Sequence, residues 1–414
     1  MVSSAKSAHS AKTDHQSKET PVSISYIDAF KMDECVECGE CLASCKYMGL
    51  SQSEAVEGIR NLRDGVQVDQ YLDRCTFCGQ CNDKCPTDAQ PEALLLERLR
   101  DRRKAEGSIP MFVAYYLAGI EALGSEENYF HDVYSASSEE TKQIIKKWEE
   151  PKQGDDLLWC GCGNRMTPQN LEYSRVLADL PKFGGIGDCC GLNEAKIGLY
   201  EAARHVTENL LERLSRCKFK RLIVSCGSCQ EHLTIVYPKY FGRKMPFEVL
   251  SLYEYIDEQM EKGKIGVQRQ LNTEMAISDA CFGYQFGDHY LKTIRKLCRA
   301  IGINVVELQH NRDDTACCGM SGMARRFQVN DVMEAMKIKA DDIKRSGAQK
   351  VLNYCTGCHT VTTMVHAARS VYLLDKVLWA LGDDLTSTIY IPEAAREKSR
   401  KRFQDQGPFY LPAI

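Results

Sequence analysis

The sequence predicts an α+β multidomain protein, in which a mostly helical N-terminal module is followed by two duplicated α/β domains. Three observations favour this fold class. The chain has 414 residues, more than the roughly 250–300 that one hydrophobic core usually supports. Its cysteines form two tight runs near the N-terminus and then two copies of a wider pattern. Helical periodicity dominates the first part, whereas short apolar strands alternate with helices in the second.

The 21 cysteines are the exceptional feature of the composition. In a small secreted protein they would indicate disulfides. However, Met1 to Thr20 is polar and lacks the apolar segment of a signal peptide, and Met111 to Ile120 is shorter than the roughly 20 residues of a membrane span. We therefore expect metal-ligating thiols in a reducing cytoplasm. The net charge of −4 gives no electrostatic footprint for nucleic acid or for an anionic membrane surface.

The N-terminal residues 1–25 are polar and aperiodic, which predicts a disordered arm. Two cysteine runs follow, each spaced Cys-x-x-Cys-x-x-Cys-x-x-x-Cys. This is the run of bacterial ferredoxins, in which the fourth cysteine ligates the other cluster. The predicted ligands of one cubane [4Fe–4S] cluster are Cys35, Cys38, Cys41 and Cys85, and those of the second cubane are Cys75, Cys78, Cys81 and Cys45. Zinc is the alternative, but zinc sites usually combine separated Cys-x-x-Cys knuckles.

The ferredoxin module is predicted to be helical and to span residues 26–103. Ser53 to Tyr71 lacks the alternation of a strand pair, and Leu94 to Arg103 favours a helix. A helical connector over residues 104–153 follows, with helices at Met111 to Leu123 and Glu139 to Glu150, and Pro151 stops the last of these.

Two α/β domains are predicted at residues 154–268 and 269–386, followed by a tail at residues 387–414. The strand candidates are Leu157 to Trp159, Arg221 to Ser225, Glu274 to Ser278, Ile303 to Leu308 and Lys350 to Tyr354. Helical periodicity marks Glu194 to Cys217 and Val329 to Arg345. Each copy thus contains strand, cysteine, helix, Cys-Cys-Gly, helix, strand and Cys-x-x-Cys, in that order.

Each α/β copy carries five cysteines in the same arrangement. Cys189 and Cys317 are 128 residues apart, and Cys226 and Cys355 are 129 apart. Two independent disulfide frameworks would have no reason to share this register, whereas a duplicated metal site would. A Cys-Cys-Gly before a helix places thiols at the helix N-terminus, where free amides and the dipole favour an anionic cluster. Five thiols exceed the four of a cubane, which indicates a bridging thiolate, a more open cluster or one inert cysteine.

Two ferredoxin runs followed by two Cys-Cys-Gly domains resemble the D-type polypeptide of heterodisulfide reductase, which fuses the equivalents of the C-type and B-type polypeptides. The resemblance covers roughly residues 30–380 and includes Gly161-Cys162, Pro246 to Val249 and Cys317 to Gly322. The chain departs from the family at Ser278 to Cys281, where the family commonly has His-Asp-Pro-Cys. The interval from Cys162 to Cys189 is 27 residues, against 36 from Cys281 to Cys317.

The resemblance implies that each complete set binds a noncubane [4Fe–4S] cluster, giving one or two such clusters. The implied ligands are Cys162, Cys189, Cys190, Cys226 and Cys229, and then Cys281, Cys317, Cys318, Cys355 and Cys358. Cys160 is the alternative first ligand, and the resemblance favours Cys162. Two cysteines without a counterpart in the other copy are predicted to pack in the core: Cys217 and Cys298. Three histidines near ligand cysteines either supply protons or simply pack: His232, His289 and His359.

The predicted function is an iron–sulfur oxidoreductase subunit that passes electrons through the two cubanes to the Cys-Cys-Gly sets, which reduce a disulfide or related sulfur substrate. The sequence has no Gly-x-Gly-x-x-Gly fingerprint, so electrons are expected from a partner, either a flavoprotein or a b-type cytochrome. We expect a cytoplasmic chain that reaches the membrane only through such a partner. The alternatives are a non-catalytic electron-transfer subunit, of the glycolate or lactate oxidase type, and a redox sensor.

Overall fold

The computed structural model describes residues 25–125, 127–384 and 391–410. The predicted disordered arm lies outside these residues, apart from Ser25. The described chain is an α+β multidomain protein with a helical N-terminal module, as predicted. The helices of this module are α1 (Glu40–Ala43), α2 (Gln52–Asp64), α3 (Asp69–Leu72), α4 (Gln80–Asp83) and α5 (Glu92–Glu106), preceded by the 3₁₀ turns Tyr26–Ala29 and Met32–Glu34.

Helix α2 forms where the sequence lacks strand alternation. The Glu54 N–H donates to Ser51 Oγ at 3.4 Å, and the Ser51 N–H donates to the Glu54 carboxylate at 2.7 Å, which is a capping box. The residues that α2 buries fall on one face of the helix, at positions i, i+3, i+4 and i+7: Ala55, Gly58, Ile59 and Leu62. Gly65, with φ 71°, ends the helix in the left-handed conformation that glycine adopts readily.

The connector contains a short strand and three helices. These are β1 (Ile109–Pro110), α6 (Met111–Tyr116), α7 (Tyr129–Ala136) and α8 (Glu139–Glu149), with a 3₁₀ turn at Ile120–Leu123. The side chains of Asn128 and Ser138 cap α7 and α8. The helix predicted at Met111 to Leu123 is therefore interrupted after Tyr116, whereas the one at Glu139 ends within one residue of its predicted end.

The C-terminal part contains two four-stranded parallel sheets of the same topology. The first has the order β3-β2-β4-β5, with β2 (Asp156–Trp159), β3 (Lys182–Phe183), β4 (Arg221–Val224) and β5 (Glu248–Ser251). The second has the order β7-β6-β8-β9, with β6 (Thr273–Ser278), β7 (Ile303–Glu307), β8 (Lys350–Asn353) and β9 (Arg369–Tyr372). Because all strands of a sheet are parallel, their carboxyl ends lie at one edge.

Helices flank both sheets. The first unit has α9 (Pro168–Glu172), α10 (Leu192–Lys196), α11 (Tyr200–Leu214), α12 (Gly227–Glu231), α13 (Tyr237–Phe241) and α14 (Leu252–Glu261), with a π-helical segment at His232–Val236. The second has α15 (Asp288–Ala300), α16 (Val329–Arg345), α17 (Thr356–Val365) and α18 (Leu373–Ala380). The bounds of α16 are those that the sequence predicts.

One predicted helix is wrong in its continuity. The sequence predicts a helix from Glu194 to Cys217, but the structure separates α10 from α11 at Gly198, which has φ 85°. A Cβ atom on Gly198 would lie 2.8 Å from Cγ of Leu99 in α5. The chain turns here because α5 packs closely against it, and that contact is not visible in helical periodicity.

The residues predicted as a tail at 387–414 are partly folded onto the connector. They include α19 (Glu393–Arg402) and β10 (Pro408–Phe409), which pairs antiparallel with β1. The Ser399 and Tyr116 hydroxyls are 2.6 Å apart, and the rings of Phe403 and Phe112 pack edge to face. The sequence did not indicate this helix because only Ala395 of its residues is buried.

Arg103 of α5 ties the helical module to both α/β units. Its Nε donates to the Ile197 carbonyl at 3.2 Å, its Nη2 donates to the Ala324 carbonyl, and its guanidinium lies 3.9 Å from the centroid of the Phe327 ring. We expect Arg103→Met to lower the free energy of unfolding by about 2–4 kcal/mol, because two buried carbonyls lose their donor. Urea unfolding measures this.

The matched control is Arg216→Met. Arg216 pairs with Glu212 at 3.0 Å, and both side chains are largely exposed, so its loss is expected to change the urea midpoint little. Equal destabilisation by the two variants would contradict the assigned role of Arg103.

Asp375 in the first turn of α18 makes stability depend on pH. Burial raises the pKa of Asp375 to about 6, although Lys376 opposes the rise. The pKa of an unfolded aspartate is about 3.9, so the stability that Asp375 contributes is fully present below that pH and is lost as the pH rises through about 6. We expect Asp375→Asn to raise the free energy of unfolding by up to about 3 kcal/mol at neutral and higher pH. Urea unfolding below the unfolded pKa should show no such gain, and an equal gain at both pH values would contradict it.

Candidate metal centres

The eight cysteines of the helical module form two groups around two cavities. One cavity is lined by Cys35, Cys38, Cys41 and Cys85, here called ferredoxin set 1. The other is lined by Cys75, Cys78, Cys81 and Cys45, called ferredoxin set 2, and also by Cys41. In each set the last thiol comes from the opposite run. The structure thus brings together the residues that the sequence assigns to each cubane, and it places the two sets side by side.

Local backbone geometry explains how these loops close. Gly39 and Gly79 have φ of 77° and 81° and begin α1 and α4. A Cβ atom on Gly39 would lie 2.6 Å from the Val56 nitrogen in α2, so the loop can pack there only as glycine. Backbone amides point at the sulfurs, as in the 3.2 Å hydrogen bond from the Ala89 N–H to Cys85 Sγ. Such hydrogen bonds stabilise thiolates and tune cluster potentials.

The influence of neighbouring thiols on the pKa of each cysteine agrees with the division into ferredoxin sets 1 and 2. Burial raises the pKa of Cys41 to about 12, and Cys85 is the neighbouring thiol that adds most to the rise. Burial also raises the pKa of Cys75, and here the thiol that adds most is Cys45. Each of these neighbours lies far away in sequence, so the exchange of the fourth cysteine is a feature of the fold.

The first Cys-Cys-Gly unit gathers five thiols, called CCG set 1: Cys162, Cys189, Cys190, Cys226 and Cys229. They come from the carboxyl ends of β2 and β4 and from the loop before α10. Hydrogen bonds link them in the order Cys162, Cys189, Cys190, Cys229, Cys226. Gly191, with φ 91°, turns the chain into α10, and its Cβ position would lie 2.8 Å from the Ala203 carbonyl oxygen.

The second unit repeats the arrangement with CCG set 2: Cys281, Cys317, Cys318, Cys355 and Cys358. Its thiols are linked in the equivalent order Cys281, Cys317, Cys318, Cys358, Cys355. Gly319, with φ 83°, takes the place of Gly191, and its N–H donates to Cys317 Sγ at 3.3 Å. Ten predicted ligands therefore form two sets that share one pattern of hydrogen bonds.

The two CCG sets meet across the interface between the α/β units. The Cys355 thiol is hydrogen-bonded to Cys226. The pair of residues between the cysteines of each Cys-x-x-Cys also contributes one hydroxyl group, and this hydroxyl lies close to the first cysteine of the Cys-x-x-Cys in the other unit. Thr356 Oγ1 is 3.2 Å from Cys226 Sγ, and Ser228 Oγ is 3.4 Å from Cys355 Sγ. Sequence reasoning missed both hydroxyls, although their position inside Cys-x-x-Cys was available as a signal.

CCG set 2 also borders ferredoxin set 2. The Cys317 N–H donates to the Tyr47 hydroxyl at 2.7 Å, and Gln80 Nε2 donates to the Thr315 carbonyl at 2.6 Å. Cys317 is the neighbouring thiol that acts most strongly on the pKa of Cys78, which burial raises to about 12. The four sets therefore follow one another as ferredoxin set 1, ferredoxin set 2, CCG set 2 and CCG set 1. Sequence reasoning did not identify Tyr47, and no motif marks it.

The remaining cysteines lie apart from these sets. Cys160 is fully buried, burial raises its pKa, and its Sγ lies 3.9 Å from the Leu158 carbonyl. Cys162, the alternative favoured by the resemblance, is the one hydrogen-bonded to Cys189. Cys217 and Cys298 are buried in the core, as predicted.

The three histidines make other contacts. His232 is fully buried, burial lowers its pKa to about 3, and its Nε2 is 2.8 Å from Thr207 Oγ1. His359 Nδ1 is 2.8 Å from Ser370 Oγ, and burial lowers its pKa. His289 is largely exposed and lies 3.1 Å from Glu254. These contacts are those of packed or solvated side chains, the simpler of the two expectations.

Three of the clustered thiols favour the thiolate form. Hydrogen bonds, foremost from Cys189, lower the pKa of Cys190 to about 6. The thiols of Cys229 and Cys281 likewise lower the pKa of Cys226 and Cys317. Thiolates are the form that ligates iron.

The donor chemistry of the four sets fits iron–sulfur clusters. Soft thiolates are the ligands of such clusters. Among the described residues, no three His, Cys, Asp or Glu side chains are arranged to hold a single metal ion.

The same part of the chain contains no helix that is long and apolar enough to cross a membrane.

Comparison with known protein families agrees with this architecture. Residues 16–89 match a 4Fe–4S dicluster domain, and residues 275–362 match a cysteine-rich domain of the CCG type. The chain is therefore an iron–sulfur protein that combines these two domains. It is similar to the D-type polypeptide of the dihydromethanophenazine:CoB–CoM heterodisulfide reductase of Methanosarcina barkeri, with 20% identity over 81% of this chain and 89% of that protein.

Two further relatives are oxidoreductases. The B-type polypeptide of the fumarate reductase (CoM/CoB) of Methanothermobacter marburgensis is 22% identical over 80% of this chain and 68% of its own length. The EtfAB:quinone oxidoreductase of Syntrophomonas wolfei is 23% identical over 56% of this chain and 35% of its own length. The chain is thus an oxidoreductase-type iron–sulfur protein related to the D-type polypeptide of heterodisulfide reductase.

Proposed function

We propose that the chain is an iron–sulfur subunit that takes electrons from a partner protein and delivers them to a disulfide or related sulfur substrate. Cubane [4Fe–4S] clusters would occupy ferredoxin sets 1 and 2, and noncubane [4Fe–4S] clusters would occupy CCG sets 1 and 2. One observation carries the proposal: the two CCG sets face each other at Cys226 and Cys355, and one of them borders ferredoxin set 2.

The stoichiometry of the reaction suits this layout. Reduction of a disulfide to two thiols consumes two electrons and two protons. When bound, the clusters supply one-electron transfer and an iron position that can accept a sulfur ligand. The two CCG sets are adjacent, so that each would bind one of the two sulfur atoms of a disulfide substrate. The ferredoxin sets lie on one side of this pair.

Residues of the chain outside the thiol sets position this centre. Tyr47 fixes the loop that carries Cys317. The hydroxyls of Ser228 and Thr356 lie across the interface, where they can donate hydrogen bonds to sulfur. A Cβ atom on Gly163 would lie 3.1 Å from Cγ2 of Thr356, so the loop beside Cys162 packs against the opposite unit.

The partner is proposed to be a flavoprotein or a membrane-bound b-type cytochrome, with this chain in the cytoplasm. The similarity to a protein named as one polypeptide of a larger reductase supports a partner. The domain limits given by the sequence, with α/β units at residues 154–268 and 269–386, remain part of this proposal.

A second candidate is a pure electron conduit without a substrate of its own. The similarity to an EtfAB:quinone oxidoreductase favours it. So does the burial of the facing thiols, because Cys226 and Cys355 are 7% and 3% exposed.

A reduced-viologen assay distinguishes the two functions. Protein purified without oxygen is supplied with reduced methyl viologen and a panel of disulfides, including the CoB–CoM heterodisulfide. Viologen oxidation that depends on a disulfide is expected. Protein with all clusters reduced by viologen but no turnover with any disulfide would exclude the reductase and support the conduit.

A further inference from the structure

A buried ionic triad lies outside the thiol sets. Lys196 Nζ is 2.7 Å from Glu92 Oε1 and 3.4 Å from Glu231 Oε1. The three side chains are only 5–6% exposed. They come from α5 of the helical module and from α10 and α12 of the first α/β unit, so the triad forms only when these segments assemble.

The partners of Glu92 hold its carboxylate firmly. The Tyr240 hydroxyl donates to Glu92 Oε2 at 2.7 Å, and Asn82 Nδ2 donates to the same oxygen at 3.3 Å. Asn82 also accepts the Glu92 N–H at 3.0 Å. Although burial opposes its ionised form, these contacts and Lys196 leave the pKa of Glu92 below its usual value. For Lys196, burial is likewise outweighed by Glu92, and its pKa is raised.

The triad lies between ferredoxin set 2 and CCG set 2. Glu92 lines the cavity of ferredoxin set 2 and is the charged neighbour that acts most on Cys81. Lys196 acts electrostatically with Cys281, and Glu231 with Cys317. The proposed route of the electron between these two sets therefore passes beside the charged pair of Lys196 and Glu92, and beside Glu231, whose pKa burial raises to about 7.

Stability alone does not account for such a group. A buried ion pair is often no more stable than apolar residues of the same volume, because desolvation offsets the attraction. Charges in a low dielectric act strongly on their neighbours, and the net charge around an iron–sulfur cluster sets its reduction potential. A nearby cation favours the reduced cluster, whereas a nearby carboxylate favours the oxidised one.

We propose that Lys196 is a redox-tuning residue, which raises the reduction potentials of the clusters in ferredoxin set 2 and CCG set 2 against the opposing charge of Glu92. This inference rests on the proposed cluster content of those sets but not on the identity of any substrate. Lys196 thereby keeps both clusters reducible by the partner while two carboxylates are buried between them.

The test is a potentiometric EPR titration of the anaerobically purified protein, in alkaline buffer so that Glu231, whose pKa burial raises to about 7, is ionised together with Glu92. We expect Lys196→Met to shift the midpoint potential of the adjacent clusters downward and Glu92→Gln to shift it upward. Each shift should be about 59 mV, a tenfold change in a one-electron equilibrium. Lys182→Met is the matched control, because Lys182 is also buried but donates to the carbonyls of Leu177 and Leu180 beside Cys160. Its potentials should equal those of the unmodified protein.

If Lys196 and Glu92 had only a structural role, their variants would not shift the midpoint potentials in opposite directions. If Lys196→Met fails to retain its clusters, the direction of each shift in midpoint potential is measured with Lys196→Gln and Glu92→Gln instead. Unchanged potentials, or shifts of Lys196 and Glu92 variants in the same direction, would overturn the inference. Since potentials are read without substrate, a failed disulfide assay would refute the reductase function and leave this result intact.

Discussion

Cys318→Ala is expected to abolish disulfide-dependent oxidation of reduced viologen, while the EPR signals of the two ferredoxin-type clusters remain. Cys318 is the middle thiol of CCG set 2, hydrogen-bonded to both Cys317 and Cys358. The substitution removes a predicted ligand from CCG set 2, which is the CCG set that borders ferredoxin set 2. The loss should exceed about 100-fold, because even changes to groups outside the ligand shell cost 10–100-fold.

Cys298→Ala is the matched control for this experiment. Cys298 is a fully buried thiol of the same α/β unit, but it packs in α15 away from CCG set 2. Its variant should keep its clusters and its turnover and lose only some stability. Retained reductase activity in Cys318→Ala, with the ferredoxin signals also intact, would contradict the proposed role of CCG set 2.

Cys85→Ala is expected to eliminate the cluster of ferredoxin set 1, although Cys85 belongs in sequence to the second run. The structure places Cys85 beside Cys41 and on the cavity of Cys35 and Cys38. Iron analysis of paired variants can show this grouping. Adding Cys35→Ala to Cys85→Ala should cost no further iron, because both act on one cluster. Adding Cys75→Ala should remove a second cluster.

The reverse pattern would contradict this assignment. If Cys85→Ala and Cys75→Ala together cost no more iron than either alone, then the thiols are grouped by sequence run. Cys45→Ala provides the reciprocal check. Combining Cys45→Ala with Cys75→Ala should cost no more iron than either variant alone, whereas combining Cys45→Ala with Cys35→Ala should cost the iron of two clusters.

Much of the fold could be predicted from local patterns. Central strands such as Arg221–Val224 are short apolar runs that end at a cysteine, and helix Val329–Arg345 shows plain periodicity. Edge strands were harder. Lys182–Phe183 is only two residues long, and Arg369–Tyr372 is partly exposed, so neither has a pattern that distinguishes it from a loop.

The site was predictable as a set of residues but not as an arrangement. Spacing and duplication identify the thiols because ligands of one loop lie close in sequence. The contact between Cys226 and Cys355, by contrast, depends on how two separate units pack. The same holds for Lys196 and Glu92, which are 104 positions apart and have no motif in common. Such tertiary contacts leave no periodic signal in one sequence.

Anaerobic purification followed by iron and sulfide analysis with EPR spectroscopy tests the central claim most directly. Four occupied thiol sets predict about sixteen iron atoms and as many sulfides per chain, with two signals that disappear in ferredoxin variants and others that disappear in CCG variants. A colourless protein that contains no iron would contradict the account.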